Sequence, residues 1–197
     1  MNLDTILWII GRSTGMVGVI LLTVAAAMGL ALSMKASSPR FPRWLTTDLH
    51  RYVTILAVVV SVVHLVVLWL DTQSGLSLIS LVVPFTSGWE PVAVGIGVLG
   101  LEITLIVWLT TRLRDRIGYR SWQVIHRAAS VGWALVIAHG LMSGTDTGSA
   151  WAVITYAACA ALVVGLLIPR MIIGRSSGEA PADSRPADAQ PAGSAHS

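Results

Sequence analysis

The chain has 197 residues, 54% hydrophobic and only 12% charged, with a net charge of +3. Mean hydropathy is +0.74, and the charged share is about half the ~25% usual in soluble domains, which places the chain in the membrane class. The single cysteine, Cys159, excludes an internal disulfide and any multi-cysteine metal or iron–sulfur site.

Five apolar stretches, about 7–33, 48–70, 91–111, 121–142 and 150–173, reach the ~20 residues that a transmembrane helix needs. The first lacks a basic leader and is longer than the ~7–15 residues of a signal-peptide core, so it is expected to be a retained span. The run Leu76–Phe85 is too brief to cross and is expected to lie along the surface or re-enter. In the fourth stretch Arg127 leaves only 128–142 uncharged; Arg120 and Trp122 read as interfacial anchors that extend it to full length. Cys159, in the fifth, is expected to pack as a small hydrophobe. From Ser176 the chain is Ala/Pro/Ser-rich and without apolar periodicity, the signature of disorder. The expected division is therefore a membrane domain, 1–175, and a cytoplasmic tail, 176–197; His196 belongs to the tail and to no site.

Basic residues are uneven between the loops. Lys35, Arg40 and Arg43 occupy the 34–47 connection, and Arg112, Arg114, Arg116 and Arg120 the 112–120 connection. The 71–90 and 143–149 connections carry only acids, Asp71, Glu90 and Asp146 among them. The positive-inside rule predicts an outer N-terminus, both Arg-rich loops inside and a cytoplasmic C-terminus. Five spans require the same opposition of ends. The basic pI thus reflects topology; no basic patch with interleaved stacking aromatics points to nucleic acid.

Four histidines lie in two of these stretches: His50 and His64 in the second, His126 and His139 in the fourth. Spacings of fourteen and thirteen residues separate each pair by ~20 Å along a helix, within a hydrocarbon core ~30 Å thick. The predicted topology makes the two helices parallel, so His50 and His126 share the inner level and His64 and His139 the outer. Two imidazoles per level suit two stacked haems, because the macrocycle supplies the other four iron ligands. Zinc or copper would need three or four protein ligands at one depth; beyond the histidines only Met142 is near. One detail resists a straight-helix picture: fourteen residues leave His64 only ~40° from the face of His50, but thirteen leave His139 ~140° from that of His126. Tilt, local distortion or differing rotamers must absorb the difference.

With the paired histidines, the opening Gly11-Arg12-Ser13-Thr14-Gly15, the Val83-Pro84-Phe85 step and His139-Gly140, the chain resembles the ferric reductase-like transmembrane domain over roughly residues 5–173. That superfamily includes ferric reductases, NADPH oxidases and the haem membrane subunit of bacterial methionine sulfoxide reductase systems. The resemblance implies that His50 and His126 ligate an inner haem b, His64 and His139 an outer one, and that Arg12 lies near the outer haem. Arg51 and Arg127 directly follow the inner ligands, open to two readings: bidentate partners of haem propionates or positive-inside anchors.

Ferric reductases and NADPH oxidases carry a cytosolic FAD- and NAD(P)H-binding region after the last span; here the tail follows Arg175, so flavin is expected only through a partner. The string Gly95-Ile96-Gly97-Val98-Leu99-Gly100 lies inside an apolar span, away from any strand-to-helix turn, and reads as close helix packing. Glu102, near mid-span, reads as a proton relay or as a neutral carboxyl bonded to a neighbour. Trp133, between the two levels, reads as an electronic bridge or as a packing residue. Gly144–Gly148 reads as an acceptor-site lining or as a plain turn.

The sequence therefore predicts an all-α, polytopic helix bundle of about five transmembrane helices. It is expected to be a two-haem oxidoreductase subunit of the cell membrane, moving electrons from a cytoplasmic flavoprotein reductase to an outer acceptor. The alternative is a non-catalytic haem or metal transporter or sensor.

Overall fold

The computed structural model describes residues 2–34 and 42–176. Lys35, Arg40, the tail from 177 and His196 lie outside the described residues. Among the described residues seven helices follow in order: α1 (Leu3–Ser33), α2 (Arg43–Leu70), α3 (Pro91–Arg112), α4 (Arg114–Ile117), α5 (Tyr119–Arg127), α6 (Ala129–Ser143) and α7 (Ala150–Ser176). No strand occurs among the described residues. Five segments are long and apolar enough to cross a membrane: α1, α2, α3, α5 with α6 as Tyr119–Ser143, and Ala150–Met171 of α7. The protein is a multi-pass membrane protein of all-α class.

Local chemistry sets several ends. The Asn2 side chain accepts from the Thr5 N–H at 3.0 Å and caps α1, and Pro91 opens α3 where its missing N–H costs nothing. The Leu76–Phe85 run, too brief to span, forms no regular helix. It folds as consecutive turns, with the Ser77 N–H donating to Ser80 Oγ at 3.0 Å and the Ser80 hydroxyl to Ser77 O at 2.8 Å. Ser80 is fully buried. Phe85 follows with a positive φ of 65°, and its ring lies on Gly95, where any Cβ would collide with it.

The bundle is organised around α1. It runs antiparallel to α2, with Gly11 against Leu68 and Gly18 against Val60 and Ser61, and it also packs on α6 and α7. Against α7 it forms a core of Val19, Ala152, Tyr156 and Cys159, where Cys159 packs as expected. α3 pairs with α6 at a crossing of two glycines. A Cβ on Gly100 would stand 3.2 Å from the Gly132 carbonyl oxygen, and one on Gly132 3.3 Å from that of Gly100. In lipid no hydrophobic force drives helices together, so such small-residue crossings, which let backbones meet, hold the bundle. The Trp133 Nε1–H donates to Thr23 Oγ1 at 2.9 Å, joining α6 to α1 midway through the bundle.

Gly132→Leu should pry α3 from α6. Overpacking of this kind costs ~1–3 kcal/mol, and the thermal midpoint of the detergent-purified protein should fall by several degrees. An unchanged midpoint would mean that α3 and α6 do not cross here.

Candidate functional site

Three of the four histidines are seated by one device. His50 Nδ1 donates to Ala25 O at 3.0 Å, His64 Nδ1 to Gly11 O at 2.8 Å, and His139 Nδ1 to Ala93 O at 2.8 Å. Each acceptor is a carbonyl within a neighbouring helix, and the residue four positions on is in each case glycine: Gly29, Gly15 and Gly97. Side chains on a helix lean toward its N-terminus and cover the preceding turn. A glycine one turn later leaves the carbonyl uncovered, and the imidazole occupies that space. A Cβ would meet His50 at 3.4 Å on Gly29, His64 at 3.0 Å on Gly15 and His139 at 2.6 Å on Gly97.

The seat fixes the tautomer. A ring that donates from Nδ1 to a carbonyl carries its proton there and keeps the Nε2 lone pair for a metal, the usual arrangement of ligating histidines. The Ser143 hydroxyl lies 3.1 Å from His139 Nδ1, and Thr14 Oγ1 lies 3.4 Å from that of His64.

His126 is the exception. Its buried Nδ1 has no hydrogen-bond partner. Its ring instead stacks on Trp122, centroids 4.9 Å apart at 29°, and Trp122 is itself pinned by an Nε1–H bond to Thr111 Oγ1 at 3.2 Å.

The histidines come together in the expected pairs. The rings of His50 and His126 are 6.3 Å apart between centroids, at 72°. Two metal–nitrogen bonds of ~2 Å, plus the distance from each nitrogen to its ring centre, give about this separation. His64 and His139 line one cavity of about 420 Å³, walled by Gly15, Leu65, Val98, Leu101 and Val136. These residues fit a haem: an apolar, glycine-lined slot with one imidazole from each of two helices. Among the described residues no group of three or more His, Cys, Asp or Glu converges as a metal cluster would.

The misfit of the thirteen-residue spacing has a visible cause of relief. The fourth span breaks at Ala128, where Ala128 N–H bonds Ile125 O and Val131 N–H bonds Ala128 O, each at 3.0 Å. Such i→i+3 bonds wind at ~120° per residue against ~100° in an α-helix. The tighter turn rotates His139 toward the face of His126, and supplies part of the ~140° that a straight helix would leave.

Arg12 stands at the mouth of the His64/His139 cavity and is ion-paired through Nε with Asp146 of the α6–α7 loop. That loop does line the cavity, through Gly144, Thr145, Asp146 and Thr147. Arg51 and Arg127 are exposed, Arg51 lying 3.8 Å from Asp48. Glu102 is half-buried in α3, with no hydrogen-bond partner among the described residues. Trp122, Gly29 and Gly97 carry site roles that the sequence analysis did not assign. One signal was present: Gly15 and Gly29 are fourteen residues apart, the interval of His50 and His64.

The family model described as ferric reductase like transmembrane component matches residues 14–137. The chain belongs to this family. Ferric reductase-like transmembrane domains are membrane electron-transfer domains that generally bind haem and commonly work with a cytoplasmic flavoprotein. The matched segment holds His50, His64 and His126. No curated relative and no solved structure matches the chain.

Gly97→Val should displace the His139 ring from Ala93 O, and loss of such an orienting contact should lower the haem content of the purified protein. Gly148→Ala, whose Cβ meets nothing within 4 Å, should leave it unchanged. Full haem content in Gly97→Val would refute the seat.

Proposed function

We propose that this ferric reductase-like protein is a two-haem b-type cytochrome that carries electrons across the cell membrane. In this reading His50 and His126 hold one haem near the cytoplasmic face, and His64 and His139 hold the other near the outer face. The observation that carries it is the shared seat of His50, His64 and His139, which keeps three Nε2 lone pairs available to metal. A bound haem supplies one-electron redox chemistry at iron.

The chain's own residues do the rest. The helix carbonyls orient the imidazoles and raise their basicity as ligands. Leu65, Val98, Leu101 and Val136 limit water at the outer site. Arg12 provides a guanidinium beside that site, and Arg51 and Arg127 provide two at the level where the inner group's carboxylates would emerge, a bidentate match.

Electrons come from a separate cytoplasmic flavoprotein reductase. Its dock is the arginine-rich face of Arg112, Arg114, Arg116 and Arg120, which attracts an acidic partner over distances set by ionic strength. With the N-terminus outside and the C-terminus in the cytoplasm, delivery is to an outer acceptor.

The test is optical. Membranes containing the protein should show low-spin b-type bands in the reduced-minus-oxidised spectrum. In inverted vesicles, NAD(P)H with a flavin reductase should reduce the haem, and Arg114→Gln with Arg116→Gln should slow that step at low salt, the gap closing as salt rises. Absence of b-type bands would overturn the reading; equal rates at all salt concentrations would overturn the dock.

A further inference from the structure

His126 is held differently from the other three histidines, and the difference bears on how its ring is oriented. Its Nδ1 is buried without a hydrogen-bond partner, whereas the Nδ1 of His50, its partner at the inner level, donates to Ala25 O. A hydrogen bond at Nδ1 fixes both the plane of a ring and the nitrogen it turns outward. A stack fixes the plane alone.

That stack is with Trp122. Four residues apart, the two rings are neighbours on one face of α5, with centroids 4.9 Å apart and planes at 29°. The indole is itself restrained from three sides. Its Nε1–H donates to Thr111 Oγ1 at 3.2 Å, the Tyr119 ring lies 5.5 Å away at 39°, and the Arg114 guanidinium lies 5.6 Å from its ring centre. Thr111 is free to accept, because its hydroxyl proton is given to Val107 O at 2.7 Å within α3. The bond therefore ties α5 to α3. Because α5 meets α6 at the break of Ala128, this tie restrains it from turning about that break.

We propose that Trp122 is a positioning residue: it sets the plane of the His126 ring, and with it the crossing angle of the two imidazoles at the inner level. The proposal rests on the two-haem reading above and deepens it by naming the group that orients the fourth ligand. His50, held by a carbonyl, and His126, held by a stack, meet at 72°. Axial ligands are a protein's main lever on haem iron, and this angle is part of that lever. Each imidazole donates π-electron density to the iron d orbital perpendicular to its own plane. Nearly crossed rings raise two d orbitals by similar amounts, so the unpaired electron of low-spin ferric iron keeps much of its orbital moment. Its paramagnetic resonance is then strongly anisotropic, with the first feature at low field. Turning one ring toward the plane of the other splits the orbitals and moves that feature to higher field.

The test uses the full chain, purified with its haem, and two variants. Trp122→Leu removes the stack; Trp122→Phe keeps an aromatic face but loses the bond to Thr111. The inner centre's signal is the one lost in His50→Ala. In Trp122→Leu its low-field feature should move to higher field, and transfer of that haem to excess apomyoglobin should quicken about tenfold, equivalent to ~1.4 kcal/mol. In Trp122→Phe the feature should stay at its native field, broadened by loss of the tie to α3, and the transfer rate should return toward native. The outer centre should be unchanged in both. If Trp122→Leu holds no inner haem, a native field in Trp122→Phe carries the proposal and loss of inner haem there overturns it. An inner feature unmoved in Trp122→Leu, or equal effects on both centres, the mark of a general packing defect, would also overturn it. A native protein without b-type haem would instead defeat the two-haem reading. Nuclear magnetic resonance of histidine-labelled, haem-free protein would then decide the stack: the His126 ring protons, shielded by the indole face, should shift in Trp122→Leu, and unshifted protons would refute it.

Discussion

A buried imidazole has one N–H to satisfy, and in a helical membrane protein nearly every acceptor is already used inside a helix. The bundle meets this constraint by lending helix carbonyls a second hydrogen bond. Ala25, Gly11 and Ala93 each accept from a histidine of another helix, and Gly29, Gly15 and Gly97 keep those carbonyls uncovered. Much else depends on this contact. It sets the register of α2 on α1, because fourteen residues between His50 and His64 match fourteen between Ala25 and Gly11 on the antiparallel neighbour. It also sets how closely α6 approaches α3, and it decides which ring nitrogen is left for a metal.

His126 departs from this rule, and the departure is local. It sits at the end of α5, next to the break at Ala128, and has Trp122 for support where the others have a carbonyl. The two levels are therefore not chemically equal. In the proposed sites, an imidazole that lacks an Nδ1 acceptor is a weaker donor to metal than one that has it, so the pair with His50 would differ in ligand strength from the pair of His64 and His139.

The spans and the histidine levels were legible because hydrophobic length and helical rise depend on neighbours along the chain. Each expected stretch falls within a spanning helix, and the weak fourth one reaches full length through 119–127, where Trp122 and Arg120 lie. The seats were not legible. Gly97 sits in a glycine string that correctly read as helix packing, but its partner is His139, forty-two residues away. Trp122 read as an interfacial anchor because its stacking on His126 and its bond to Thr111 depend on how α5 meets α3. The turns of 76–85 had no signature in periodicity: their apolar run is broken by serines that bond to one another.

In the proposed arrangement the four histidines form two separate two-ligand sites stacked across the membrane. Haem-to-protein ratios on the four single variants His50→Ala, His64→Ala, His126→Ala and His139→Ala test it most directly, with electron paramagnetic resonance to distinguish the two sites. Each variant should retain one haem of two, with His50→Ala and His126→Ala losing the same signal and His64→Ala and His139→Ala the other. If the losses paired within a helix, His50 with His64 and His126 with His139, the stacked arrangement would be wrong.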